Sequence, residues 1–313
     1  MKNKFVVTVS PHLKIKDNVS CIMWTVFFCL LPAGIASIFI FGKGAIGIIS
    51  LSIATAVLTE AVVQLVRRQK LTIFDGSAAL TGLLLAYSLP PSIPFWFPII
   101  GSSFAILIVK QLFGGLGRNI FNPALAGRAF LVASWPKYMV IFTRPFNYDG
   151  ITSATPLTII KEAKSLPQLN YLDLFMGNRA GCIGEVCVVF LILGAVYLLY
   201  KGYISWHIPF GYIFTVGFLS WVFQGETGLF TGDWLFFILS GGLILGAFFM
   251  ATDYVTSPLT NKGKLIFGLG CGILTFIIRC WGGYPEGVCY SILMMNATVP
   301  LIDRYIRPRI YGT

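Results

Sequence analysis

Apolar residues fall in long unbroken runs rather than at helical or strand spacing. Residues 18–42 carry no charge, and 44–66 carry only Glu60. Residues 76–109 are uncharged throughout, too long for one helix, and Pro90, Pro91 and Pro94 divide them into a short run ending near Leu89 and another beginning near Phe95. A fifth run opens at Asn122-Pro123 and reaches about Trp135. A polar stretch follows, and then come apolar runs at about 184–200, 206–223, 234–252, 265–281 and 286–303. The pattern predicts ten membrane-spanning helices, because a span needs roughly 20 apolar residues and only helices or closed barrels satisfy backbone groups in lipid. The alternation expected of barrel strands is missing.

Composition agrees with this reading. Only 11% of the 313 residues are charged and 56% are apolar. An ordinary soluble surface needs roughly 25% charged residues, which excludes a typical cytosolic enzyme, a disordered chain and a small disulfide scaffold. The net charge of +11 would point to nucleic acid in a soluble protein. Here the excess sits between apolar runs and reads as an orientation signal, so no nucleic-acid partner is expected. With the N-terminus inside, fifteen Lys and Arg fall in inner segments and six in outer ones, and Arg128 and Arg279 lie within spans. Both termini are therefore expected in the cytoplasm, in a multi-pass inner-membrane topology, with 136–183 outside. Seven cysteines, mostly in apolar runs and without a C-x-x-C, read as packing residues rather than a disulfide framework.

An internal repeat is legible. Leu89-Pro90 and Ser257-Pro258 follow the third and eighth runs, and Gly114-Gly115 and Gly282-Gly283 follow the fourth and ninth. Both pairs are offset by 168 residues. Two halves of five spans imply that the second inserts upside down, an architecture whose central site lies at short or broken helices. The expected organisation is 1–135 as tail and first repeat, 136–183 as an extracytoplasmic loop, and 184–313 as second repeat and tail.

Candidate chemistry is sparse. Two histidines, one of them before the first span, do not make a bis-histidine haem site, and no phosphate-binding Gly-rich loop is present. Glu60, Asp253 and Asp303 all fall near the cytoplasmic ends of spans, where carboxylates either pair at the interface or line a cation path. Arg128 lies inside the fifth span and needs an anionic partner, a carboxylate or a ligand phosphate. Gly268-Leu269-Gly270-Cys271-Gly272 reads as a face for close helix packing. In the long loop, Asp149 and the run Thr152-Ser153-Ala154-Thr155-Pro156 form a turn with accessible hydroxyls.

That last segment resembles the flavin-attachment motif of a family of membrane proteins: the B-type subunits of sodium-pumping NADH:quinone reductases and the D-type subunits of Rnf complexes. The family pattern is an Asp, a few residues, then Ser/Thr-Gly-Ala-Thr, and this chain departs from it only in having Ser153 where Gly is usual. Further resemblance lies in Asn122–Phe130, in Phe248–Asp253 with Thr260–Lys264, and in Met294–Asp303. The resemblance implies ten helices in two inverted five-helix repeats, like urea transporters. It implies FMN joined through its phosphate to Thr155, with Ser153, Ala154, Asp149, Asn122 and Arg128 near a cofactor, and a second, noncovalent flavin such as riboflavin. It implies a flavin transferase acting outside the membrane, Na+ or H+ as the moved ion, and as partners the other Rnf subunits, including a second covalent-FMN subunit and membrane iron–sulfur subunits. Only about nineteen residues precede the first span, which favours the Rnf branch (electron flow between ferredoxin and NAD) over the quinone reductase. The rival from another class is a non-redox, urea-transporter-like channel.

Overall fold

A computed structural model of the chain describes residues 18–146, 152–163, 170–225 and 228–307. It is helical apart from one two-residue hairpin. In chain order, α1 is Val19–Phe41, α2 Lys43–Val66, α3 Ser77–Tyr87 and α4 Trp96–Phe104, which continues as a π-helical turn over Ala105–Gln111. α5 is Pro123–Ser134 and α6 Pro136–Met139. The strands β1 (Phe142–Thr143) and β2 (Thr152–Ser153) pair antiparallel, Phe142 opposite Ser153. α7 (Pro156–Ala163) and α8 (Tyr171–Met176) complete the polar stretch. α9 is Val188–Tyr200, α10 His207–Phe223, α11 Trp234–Leu239 and α12 Leu243–Leu245, extended by a π-helical turn over Gly246–Met250. α13 is Asn261–Trp281 and α14 Val288–Tyr305.

Among the described residues, α1, α2 and α13 are long and apolar enough to cross a membrane alone. Helices α3, α5 and α9 are shorter, as expected where a membrane helix is broken and its ends are covered by protein. Each apolar run holds helix, yet two runs differ from the expectation. The run at 234–252 is not continuous: it breaks at Ser240-Gly241-Gly242, where both glycines adopt positive φ. The run from 184 does not start as helix. Residues 180–187 are irregular and wholly buried, and α9 begins only at Val188. A hydrophobic run does not distinguish helix from buried irregular backbone, and the missing signal is the Gly181 and Gly184 spacing. Gly184 lies against the Tyr87 ring, where a Cβ would overlap it.

Local chemistry sets several boundaries. Asn122 caps α5, its Oδ1 accepting from Ala124 N at 3.0 Å, and Pro123 supplies a pre-set first helical φ. Thr260 caps α13 through Gly263 N at 3.1 Å. The glycine face of α13 packs as expected: a Cβ on Gly268 would stand 2.7 Å from Ile208 O, so α10 and α13 approach at backbone distance. One large apolar core runs through both halves, from Leu30 and Leu83 to Phe267 and Ile292. All seven cysteines are free.

Candidate functional site

Two polar regions stand out inside this apolar fold. The first gathers around the hairpin and α7. Thr155 immediately precedes α7 and is 5% exposed. Its Oγ1 accepts from Thr158 N at 3.3 Å and lies 2.8 Å from Thr158 Oγ1. This is an N-cap: the hydroxyl oxygen sits where the free N–H groups of the first turn converge, a place that suits negative charge. Ser153 is held in β2 opposite Phe142, and Ala154 is exposed between β2 and the cap. Asp149 lies outside the described residues. Lys161, on the last turn of α7, donates to Gly282 O, which ties α7 to the end of α13. Tyr171 donates its hydroxyl to Asp233 at 2.6 Å, and that bond raises the phenol above its ordinary pKa while pinning α8 to the start of α11.

Next to the hairpin, Arg128 of α5 meets the carboxylate it requires: Glu286, in the turn before α14. The pair lines a crevice with Phe142, Tyr284 and Tyr290, and the two tyrosine rings stack with centroids 5.4 Å apart. Behind it sits Cys182, its Sγ 3.6 Å from Arg128 Nη2. Arg279 of α13 donates to Phe237 O at 2.8 Å, Ser240 O at 3.0 Å and Glu286 O at 3.1 Å. It thereby staples the break between α11 and α12. Glu286, Arg179 and Glu185 were not singled out from sequence, whereas Arg279 was placed within a span without a role. The one available signal was the polar break Tyr284-Pro285-Glu286-Gly287 between apolar runs.

The second region is a cavity of about 80 Å³ enclosed by α1, α3, the approach to α5 and the segment after the second π-helical turn. Its polar lining includes Ser77, Lys110, Asn119, Asn122, Thr252 and Asp253. Asn122 uses Nδ2 on Met250 O at 3.1 Å, and with its amide suitably turned Asn296 of α14 accepts from Asn122 N at 3.1 Å. Among the described residues Asn119 Oδ1 finds no partner and is buried. Lys110, counted from sequence among interfacial charges, is instead 2% exposed. Its Nζ lies 2.9 Å from the Glu60 carboxylate and 2.6 Å from Ser77 Oγ. Gln111 at 2.9 Å and Gln64 at 3.2 Å complete the shell of Glu60. Asp253 accepts from Thr256 at 3.2 Å and faces the same cavity as Lys110. Asp303 stands apart, accepting from Leu259 N at 3.1 Å. The fold therefore brings Glu60 and Asp253 to one neighbourhood, through Lys110, and leaves Asp303 holding a loop.

Comparison with known proteins adds the following. A model of the NQR2, RnfD, RnfE family matches residues 6–312. The chain is 51% identical to the D-type subunit of the proton-translocating ferredoxin:NAD(+) oxidoreductase complex of Clostridium ljungdahlii, over all of this chain and 97% of that protein. It is 46% identical to the D-type subunit of the Na(+)-translocating ferredoxin:NAD(+) oxidoreductase complex of Acetobacterium woodii, over 98% and 95% of the two chains. It is 38% identical to the D-type subunit of an ion-translocating oxidoreductase complex of Escherichia coli, over 98% of each.

Proposed function

Because the chain belongs to the NQR2, RnfD, RnfE family, we propose that it is the D-type membrane subunit of an Rnf ion-translocating ferredoxin:NAD oxidoreductase complex, relaying electrons through FMN esterified to Thr155. The observation that carries the flavin reading is the position of Thr155. Its hydroxyl caps α7, so a phosphate ester there would meet the Thr158 N–H and the positive end of a helix. The Ser153 departure from the family pattern fits, since Ser153 only has to pair in β2. Thr155 is nearly buried, so attachment requires its hydroxyl to become reachable before or during folding. Arg128 with Glu286, and the stacked Tyr284 and Tyr290, would form one wall for the ring. FMN supplies one- and two-electron transfer; the chain fixes its place and tunes its potential.

The remaining parts of the reading follow. Two inverted repeats are supported by parallel packing: α2 packs on α3 and α4 as α10 packs on α11 and α13. A second, noncovalent flavin such as riboflavin does not fit the cavity of about 80 Å³ beside Asn119 and Asn122, so no site for it is assigned there. Glu60 and Asp253, with Asp303 further out, are the proposed edge of a path for Na+ or H+. The protein would lie in the cytoplasmic membrane with both termini inside. Its partners would be a flavin transferase, a second covalent-FMN subunit and membrane iron–sulfur subunits.

The test is a denaturing gel of the chain expressed with a flavin transferase. A fluorescent flavin band on the chain, lost in Thr155→Val and kept in Thr158→Val, is the expected result. No band from wild type would overturn the flavin reading and leave the channel-like alternative.

A further inference from the structure

The irregular segment 180–187 is not used by the reading above. Its backbone is anchored by Ile183 N on Leu89 O at 3.0 Å and Gly184 N on Tyr87 O at 2.9 Å. It inserts Cys182 and Glu185 beside the break in the α11–α12 helix, where Glu185 lies against Gly242. Non-helical backbone at such a depth persists only where protein surrounds it.

Glu185 is 4% exposed. Among the described residues two ion pairs form, Glu60 with Lys110 and Glu286 with Arg128, and neither uses Glu185. The neighbouring guanidiniums are engaged elsewhere. Arg179 Nη2 donates to the backbone oxygen of Glu185 at 3.1 Å, and Arg279 serves carbonyls of α11 and Glu286. Arg179 Nε is buried, finds no partner among the described residues and lines the same crevice as Glu185. An oxygen of Glu185, an oxygen of Glu286 and Cys182 Sγ all lie within 4.8 Å of one another. Two carboxylates so close in a dry site raise each other's proton affinity, and Glu185, which no guanidinium pairs directly among the described residues, is the one poised to take a proton when negative charge is added nearby. The same donors resemble a metal site, but a metal ion would have to displace Arg128 from Glu286 and from beside Cys182. The cation that fits is a proton.

The cluster adjoins the flavin-attachment segment. Phe142, which pairs with Ser153, packs on Ala180 and Cys182. Leu157, two residues after Thr155, faces Gly241 together with the Arg279 guanidinium.

We propose that Glu185 is a redox-linked proton site. It takes one proton from the outer aqueous face, by way of the more exposed Glu286, when one electron arrives at the group carried on Thr155. It releases that proton when the electron leaves. The electron comes from a one-electron donor of the iron–sulfur class elsewhere in the complex. It adds one negative charge, and the proton adds one positive charge by forming the O–H bond of the Glu185 carboxylic acid. No other bond is made or broken. Glu185 is faced by Arg179 and Cys182 from its own segment, Arg128 from α5, Arg279 from α13 and Glu286 from the turn before α14. The inference rests on FMN attachment at Thr155.

The test uses the purified complex and reduced-minus-oxidised infrared difference spectra in H2O and D2O. A carboxylic-acid C=O band that grows on reduction, shifts in D2O and vanishes in Glu185→Gln is expected. Cys182→Ser should keep the band, and Glu185→Asp should keep it at a shifted position, which separates proton uptake from misfolding. The potential of the covalent flavin should also lose part of its pH slope in Glu185→Gln. A band that persists in flavin-loaded Glu185→Gln, or none in flavin-loaded wild type, overturns the inference alone. Absence of flavin from the denatured wild-type chain overturns the attachment and the inference together.

Discussion

Replacing Lys110 by Met would strand Glu60, and the structure sets the scale of the loss. The two groups are 2.9 Å apart and 2% and 1% exposed. At an effective dielectric near 20 their gross attraction is about 6 kcal/mol. Most of it offsets the cost of taking both charges out of water, so the pair adds little net stability against a neutral replacement. Removing one partner alone is different, because the other charge stays buried and unpaired. Lys110→Met and Glu60→Gln should each destabilise by about 3–5 kcal/mol. The double variant should lose only about 1–2 kcal/mol, since Gln64 and Gln111 remain to hydrogen-bond the Glu60→Gln amide. Unfolding in mixed micelles with rising SDS, followed by tryptophan fluorescence, gives the three free energies. The sum of the single effects should exceed the double by several kcal/mol. Additivity within about 0.5 kcal/mol would refute the claim that Glu60 and Lys110 form one buried unit.

Gly184→Ala should destabilise by about 1–3 kcal/mol in the same assay, because a Cβ there overlaps the Tyr87 ring and the segment cannot retreat. Arg279→Met removes the bonds to Phe237, Ser240 and Glu286 carbonyls and should cost at least about 3 kcal/mol, with faster protease cleavage at 240–242 as a second readout. Asn122→Ala loses the α5 cap and the bond to Met250, for about 0.5–2 kcal/mol of cap alone.

How much of this was legible beforehand depends on what kind of signal each feature leaves. The apolar runs placed every long helix, because lipid demands length and apolarity and leaves a mark on composition. Pro90 marked the end of one run and Asn122-Pro123 the opening of another, because these are local rules that need no partner. The need of Arg128 for an anion was equally local: a guanidinium inside a span cannot stand alone. Which anion it meets was not local. Glu286 is 158 residues away, and nothing in either stretch names the other. Lys110 looked like one more interfacial charge until folding buried it against Glu60 and Ser77. The break at Ser240-Gly241-Gly242 and the irregular segment 180–187 were hidden for a related reason. Their apolar residues are as fit for a buried turn as for a helix, and only the approach of Tyr87 and the carbonyl grip of Arg279 decide between them. The sequence by itself thus determined a polytopic membrane chain, and its resemblance to the family singled out Thr155 as the threonine to test for a flavin. Tertiary structure decided which charges neutralise one another and which carboxylate, Glu185, has no direct ion-pair partner among the described residues, because buried electrostatics is settled by contacts between distant parts of the chain.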